Sequence, residues 1–250
     1  MFKRIFLPAL FLALPIAAFS AGYIIEKKTI SSGTGFFVNM LGNIVTNEHV
    51  VRNCKNITVQ GSVDITQAHL IAADSEKDLA VLKINQRPNG YAKLRADHML
   101  QENERVMIIG YPKERGVSGQ YAIQMTSIIS GKGPMGEEQW IQFADSAERG
   151  NSGGPLVDQN GNVIGVVRAK VQFYKLDYLS GEKPPETEEV IKNGVPFKSS
   201  DIAISAAALQ DFLGRAAVPY DATINVGAAG DNSLEETAGK YIVNVHCFLD

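Results

Sequence analysis

From Gly33 to about Val171 the chain is written in short apolar runs, each cut off by glycine, asparagine, aspartate or proline. The runs GFFVN, NIVTN, ITVQ, AVLKI, RVMIIGY, YAIQMTSII, WIQFA and NVIGVVRAKV are rich in valine, isoleucine and aromatic residues. Such residues suit a pleated, half-buried surface, and runs this short are strands rather than helices. Their regular spacing predicts an all-β fold, an antiparallel barrel or sandwich, and no repeat of solenoid period competes with it. Beyond this region, SAAALQDFLGR reads as a helix. Ser205 caps it, Leu209, Phe212 and Leu213 share one face, and Gly214 ends it. The tail SLEETAGKYIVNVHCFLD reads as a short helix and then a strand that adds to an existing sheet. The stretch from Tyr174 to Ser200 holds Pro184, Pro185 and four glutamates between 182 and 189, and reads as a surface excursion.

The N-terminus is of a different kind. Lys3 and Arg4 precede the apolar run IFLPALFLALPIAAF, which closes on the small residues of AAFSAG. This is the pattern of a secretory signal cleaved after Ser20. Read instead as an anchor, the run is short for the hydrocarbon layer and is broken by Pro8 and Pro15. Residues 1–20 are therefore assigned to a signal and 21–250 to the exported domain, with a periplasmic or secreted destination and no membrane association after cleavage. The full chain has a formal charge of −3, and losing two basic residues makes the remainder more acidic. Without a Lys/Arg stripe interleaved with aromatics, nucleic acid is excluded as a partner. The two cysteines, Cys54 and Cys247, do not have zinc spacing; after export they can pair, or remain as two buried thiols. No nucleotide loop, redox motif or metal-ligand cluster occurs, so neither a metal nor another cofactor is expected.

Chemistry enters at AERGNSGGPLV, where Ser152 sits among glycines immediately before an apolar run. Glycines on both sides let the backbone turn tightly and admit a substrate, although glycine-rich turns between strands are common. A serine hydroxyl is a poor nucleophile at neutral pH and needs a base and a group to orient that base. Of the four histidines, His69 reads as an ordinary strand residue, His98 lies in a polar stretch and His246 in the last strand. His49 follows the strand GNIVTNE directly, where a sheet can hold an imidazole rigidly. Asp78 precedes LAVLKI, which can carry its carboxylate inward to meet a histidine N–H; Asp74 and Asp97 are rivals.

Taken together and in this order, SGTGFFVNMLGNIVTNEHVV, DSEKDLAVLKI and AERGNSGGPLV resemble the trypsin-like serine peptidases, and most closely their HtrA (Deg) bacterial branch. The resemblance runs over about residues 30 to 215 and includes ERVMIIGYP and NVIGVV. It implies the chymotrypsin-like fold, two six-stranded antiparallel β-barrels with a C-terminal helix. The N-terminal barrel falls at about 30–90, the C-terminal barrel at about 100–203, and the helix and tail at 204–250. It implies a serine endopeptidase acting on protein or peptide substrates through an acyl-enzyme. His49 is then the general base, Asp78 its orienting partner and Ser152 the nucleophile, with the amides of Gly150 and Ser152 as oxyanion hole.

By the same resemblance Ser146 lies at the base of the specificity pocket and Val167, Arg168 and Ala169 along its wall. A pocket with serine at its base implies small or medium apolar side chains rather than Lys or Arg, while Arg168 can favour acidic groups nearby. Asn151 stands where digestive enzymes carry aspartate, so activation by a newly cut N-terminus is not implied. The sequence runs about 35 residues past the helix, and no PDZ domain is expected in them. The tail is instead similar to those of stand-alone secreted bacterial peptidases, and that likeness implies a Cys54–Cys247 bridge. The alternative on the same fold is a catalytically silent chaperone or adaptor that binds proteins.

Overall fold

The computed structural model describes residues 29–97, 99–113, 119–134, 136–144, 146–175, 192–224 and 231–249. The leader assigned to residues 1–20, and His98, lie outside them. Among the described residues, twelve of fourteen strands form two closed barrels. The first has the order β1 (Thr29–Phe37), β14 (Ile242–Phe248), β3 (Asn56–Gly61), β4 (Thr66–Asp74), β5 (Leu79–Lys83), β2 (Asn43–Thr46), and β2 pairs back to β1. The second runs β10 (Pro155–Val157), β7 (Arg105–Gly110), β8 (Ala122–Ser130), β9 (Trp140–Phe143), β12 (Val195–Ser205), β11 (Val163–Lys175), closed by the β10–β11 pairing. Two short strands, β6 (Leu94–Arg95) and β13 (Ala222–Thr223), extend this sheet beyond β11 through parallel pairings.

The apolar runs are continuous where a strand is covered on both sides. On β7, Val106 and Ile108 face the interior of the second barrel with Ile128, Phe143 and Leu156, while Met107 and Ile109 join the core shared with the first barrel. Because successive side chains point to opposite faces, burial of both faces demands the unbroken VMII. On β4, His69, Leu70 and Ile71 are all exposed, where the pairing with β5 is irregular between Leu70 and Ala72.

The final strand enters the first barrel. β14 lies between β1 and β3, with Val245 opposite both Gly33 and Val59, so residues from the far end of the chain complete a barrel otherwise built from residues 29–83. Next to it, helix α1 (Glu48–Val51) follows β2 and carries His49. Helix α2 (Ala206–Arg215) is capped by the Ser205 hydroxyl, which accepts from the amide of Ala208, and buries Leu209, Phe212 and Leu213. It ends differently from the sequence expectation. Ala217, at φ +53°, takes the left-handed position rather than Gly214, and the amides of Ala217 and Val218 close on the carbonyls of Gly214 and Leu213. Helix α3 (Asp231–Ala238) leads into β14.

The surface excursion expected from Tyr174 to Ser200 is shorter than its composition suggests. Tyr174 pairs with Pro196, Lys175 with Val195, and Val171 with Ser200, so both ends belong to the β11–β12 ladder. Ladder hydrogen bonds are indifferent to side-chain polarity, and polar residues continue a strand that faces solvent.

Candidate active site

Asp78 precedes β5 in the left-handed conformation at φ +57°, which aspartate tolerates better than most side chains. That conformation lets the residue wrap around the start of α1. Its carbonyl accepts from the Glu48 amide at 3.2 Å and from Asn47 Nδ2 at 3.0 Å. Its carboxylate Oδ1 accepts from the His49 amide at 2.9 Å, and Oδ2 meets His49 Nδ1 at 2.8 Å. One residue thus both satisfies the first amides of α1 and holds the histidine ring. Asp78 is 4% exposed. Burial alone would push its carboxyl upward; hydrogen bonds from the His49 ring and amide, with the charges of His49 and Arg168, outweigh it and hold the group below its ordinary value. With Nδ1 committed, the other ring nitrogen of His49 is the one left for chemistry, and the side chain is 40% exposed. Asp74 and Asp97 are engaged elsewhere, with Arg215 and Arg95.

Ser152 follows a turn that only glycine can make. Gly150 has φ +100°, and a Cβ there would lie 2.2 Å from the Tyr111 carbonyl oxygen. Gly153, at φ +85°, is pressed against the first barrel, where a Cβ would lie 2.3 Å from the Thr34 carbonyl and 2.9 Å from the Asn47 amide. The loop of Ser152 therefore abuts the segment that bears His49. Neither the Gly150 amide nor the Ser152 amide donates to an acceptor among the described residues. The Ser152 hydroxyl donates to the Arg168 carbonyl at 3.3 Å, and His49 Nε2 has no hydrogen-bond partner among the described residues. Arg168 also touches Asp78, Nε to Oδ2 at 3.1 Å, so one residue of β11 contacts both ends of the His–Asp–Ser set.

Three supporting residues escaped sequence reasoning. Thr34, wholly buried on β1, accepts from the Tyr111 amide at 2.9 Å, donates from its hydroxyl to the Gly150 carbonyl at 2.7 Å and donates from its amide to the Ser152 carbonyl at 2.8 Å. It pins the serine loop of one barrel to a strand of the other. Gln124 on β8 accepts from Asn151 Nδ2 at 2.6 Å and donates to Glu148 at 2.6 Å, and Asn151 is fully buried without an ionic partner, in keeping with the missing aspartate. Asp201 on β12 takes the amides of Ser146 and Ala147 on one oxygen, at 2.7 and 2.6 Å. A buried carboxylate thus stands behind Ser146, and a reading of residue 146 alone does not see it. Thr34 lies inside SGTGFF and had a local signal, a hydroxyl in a buried glycine-flanked strand; Gln124 and Asp201 had none.

The expected pocket residues divide. Ser146 is half-buried, its hydroxyl donating to the Ala144 carbonyl at 2.8 Å. Arg168 stacks on Trp140, its guanidinium carbon 4.5 Å from the ring centroid. Ala169 pairs with Ile202 through the backbone, and its side chain lies outside the description. Val167 does not line the cleft. Its side chain, 2% exposed, packs inside the second barrel, and its amide and carbonyl are spent on Gly154 and Gly153. It braces the serine loop instead. Cys54 and Cys247 are joined in a disulfide with Cα atoms 5.4 Å apart, tying β14 to the segment just after the His49 helix.

Two closed antiparallel barrels with this site between them define the chymotrypsin-like class. Comparison with known proteins narrows the class. Residues 33–166 match the family described as the trypsin-like peptidase domain, and the chain belongs to it. It is 31% identical over 226 residues to the Uncharacterized protein y4bJ of Sinorhizobium fredii, covering 89% of this chain and 33% of that protein. It is 36% identical over 146 residues to the "Probable periplasmic serine endoprotease DegP-like" of Bartonella henselae, covering 56% of this chain and 28% of that one. Among solved structures, the serine endoprotease from Yersinia pestis superposes with a TM-score of 0.55 at 25% identity, over 75% of this chain and 58% of that chain. The chain therefore spans about a third or less of the curated relatives it matches.

Proposed function

We propose that the protein is a serine endopeptidase, exported to the periplasm or secreted, that cleaves protein substrates through an acyl-enzyme. Ser152 Oγ attacks the scissile carbonyl carbon while His49 Nε2 takes its proton. The tetrahedral oxyanion is held by the amides of Gly150 and Ser152. Collapse breaks the C–N bond as His49 returns the proton to the departing amine, and water, activated by the same ring, releases the acid. Asp78 keeps the proton on Nδ1 and stabilises the imidazolium. Ser146, Arg168 and Ala169 border the substrate side chain, with small or medium apolar residues expected at the cut. The observation that carries the reading is the 2.8 Å Asp78–His49 contact beside a serine loop whose Gly150 and Ser152 amides donate to no acceptor among the described residues. The apolar leader and the periplasmic Bartonella relative support export.

The Ser152 hydroxyl, bonded to Arg168 rather than to His49, is what favours a second reading, a silent binding protein on the same fold. A fluorophosphonate probe separates the two. The peptidase reading expects wild type to be labelled and to degrade casein, and Ser152→Ala and His49→Ala to do neither. Folded wild type that resists both label and casein digestion establishes the silent alternative.

A further inference from the structure

Arg168 occupies an irregular position on β11. Val167 pairs with Ala203 and Ala169 with Ile202, so Arg168 is the extra residue of a bulge between them. A bulge re-aims a side chain and frees its backbone groups. Here the carbonyl turns to the Ser152 hydroxyl and the guanidinium crosses Trp140 to reach Asp78. Only Nε is used. The two terminal nitrogens make no hydrogen bond or ion pair among the described residues, and the side chain is 32% exposed. A planar guanidinium steadied by an aromatic face, with its outer donors open beside the nucleophile, has the geometry to receive a carboxylate on two parallel hydrogen bonds.

The shared oxygen gives this a catalytic consequence. Asp78 Oδ2 serves both His49 Nδ1 and Arg168 Nε, at 2.8 and 3.1 Å. Proton transfer from Ser152 makes His49 cationic, so two positive groups then compete for one oxygen, and the guanidinium charge opposes the transition state. An anion paired with the outer nitrogens offsets that charge.

We propose that Arg168 makes the enzyme selective for substrates with a carboxylate side chain close to the scissile bond. This rests on the peptidase reading above for its turnover arm and is independent of that reading for its binding arm. The peptides are matched pairs with Glu or Gln at each of the two residues on either side of the cut. At one of these positions wild type is expected to favour Glu by about tenfold in kcat/KM at low salt, through KM as well as kcat, and salt should narrow the ratio. In Arg168→Gln the ratio falls to one, whatever the overall rate, and Arg168→Lys keeps part of it because lysine holds the charge without the fork.

Binding is read separately in a Ser152→Ala background through Trp140, the one tryptophan in the sequence, whose emission reports on the ring under the guanidinium. Glu peptides should bind more tightly than Gln peptides, and Arg168→Gln in that background should remove the difference. Equal binding of Glu and Gln peptides at every position, or a preference unchanged in Arg168→Gln, overturns the proposal. A fluorophosphonate-inert wild type that still binds Glu peptides through Arg168 upholds the carboxylate site while refuting the peptidase reading.

Discussion

Gly150 concentrates the residue-scale physics of the site. Its φ of +100° and the 2.2 Å approach of the Tyr111 carbonyl to where a Cβ would stand leave no room for alanine without moving the loop. Gly150→Ala is expected to remain folded by circular dichroism while kcat falls about 100- to 1,000-fold, the usual cost of one displaced oxyanion donor. Activity within a few-fold of wild type would show that this amide is not a donor. Ser152, His49 and Asp78 were legible before the structure because chain order and glycine spacing make a local signature. Gln124 and Asp201 were not, and Thr34 showed only as a hydroxyl in a glycine-flanked strand. Their bonds to the serine loop span 27, 55 and 116 residues, and a side chain whose partner lies that far along the chain leaves little mark on its own neighbours. The bulge at Arg168 was equally hidden, since register belongs to a pair of strands and never to one.

At the scale of elements, α1 has only four residues and cannot hold itself. Asp78 satisfies its first amides, and the Cys54–Cys247 bond fastens the chain just beyond it to β14 across a sequence separation of 193. Replacing both cysteines by serine is expected to lower unfolding stability by about 2 to 5 kcal/mol in guanidinium titrations. A double variant as stable as wild type would show that barrel packing alone braces this corner. The strand runs were well legible as elements because their composition reports burial on one face or two. The ends of β11 and β12 were misread as excursion because polar, proline-bearing sequence hides a ladder that backbone groups form by themselves.

On the scale of the whole molecule, the closure of the first barrel by the last strand puts His246 in a partly buried setting, 3.2 Å from Gln60 Nε2. Burial, and then the charge of Lys113, hold its pKa below 6.5. Between the lowered folded value and 6.5 the unfolded chain binds more protons, so stability rises with pH there and is lost as pH falls below 6.5. Thermal melts from pH 7.5 down should show wild type losing stability faster than His246→Gln; parallel curves would remove His246 from the account. What the amino-acid sequence determined by itself was whatever short-range order encodes: strands from burial, the α2 cap at Ser205, and the residue types and spacing of His49, Asp78 and Ser152. Tertiary structure alone decided that β14 closes the first barrel, that Thr34 and Asp201 hold the serine loop, and that Arg168 joins Asp78 to Ser152. Those outcomes depend on which distant segments meet, and closure of two barrels around one cleft settles that for the chain as a whole, through burial and pairing that no local stretch contains.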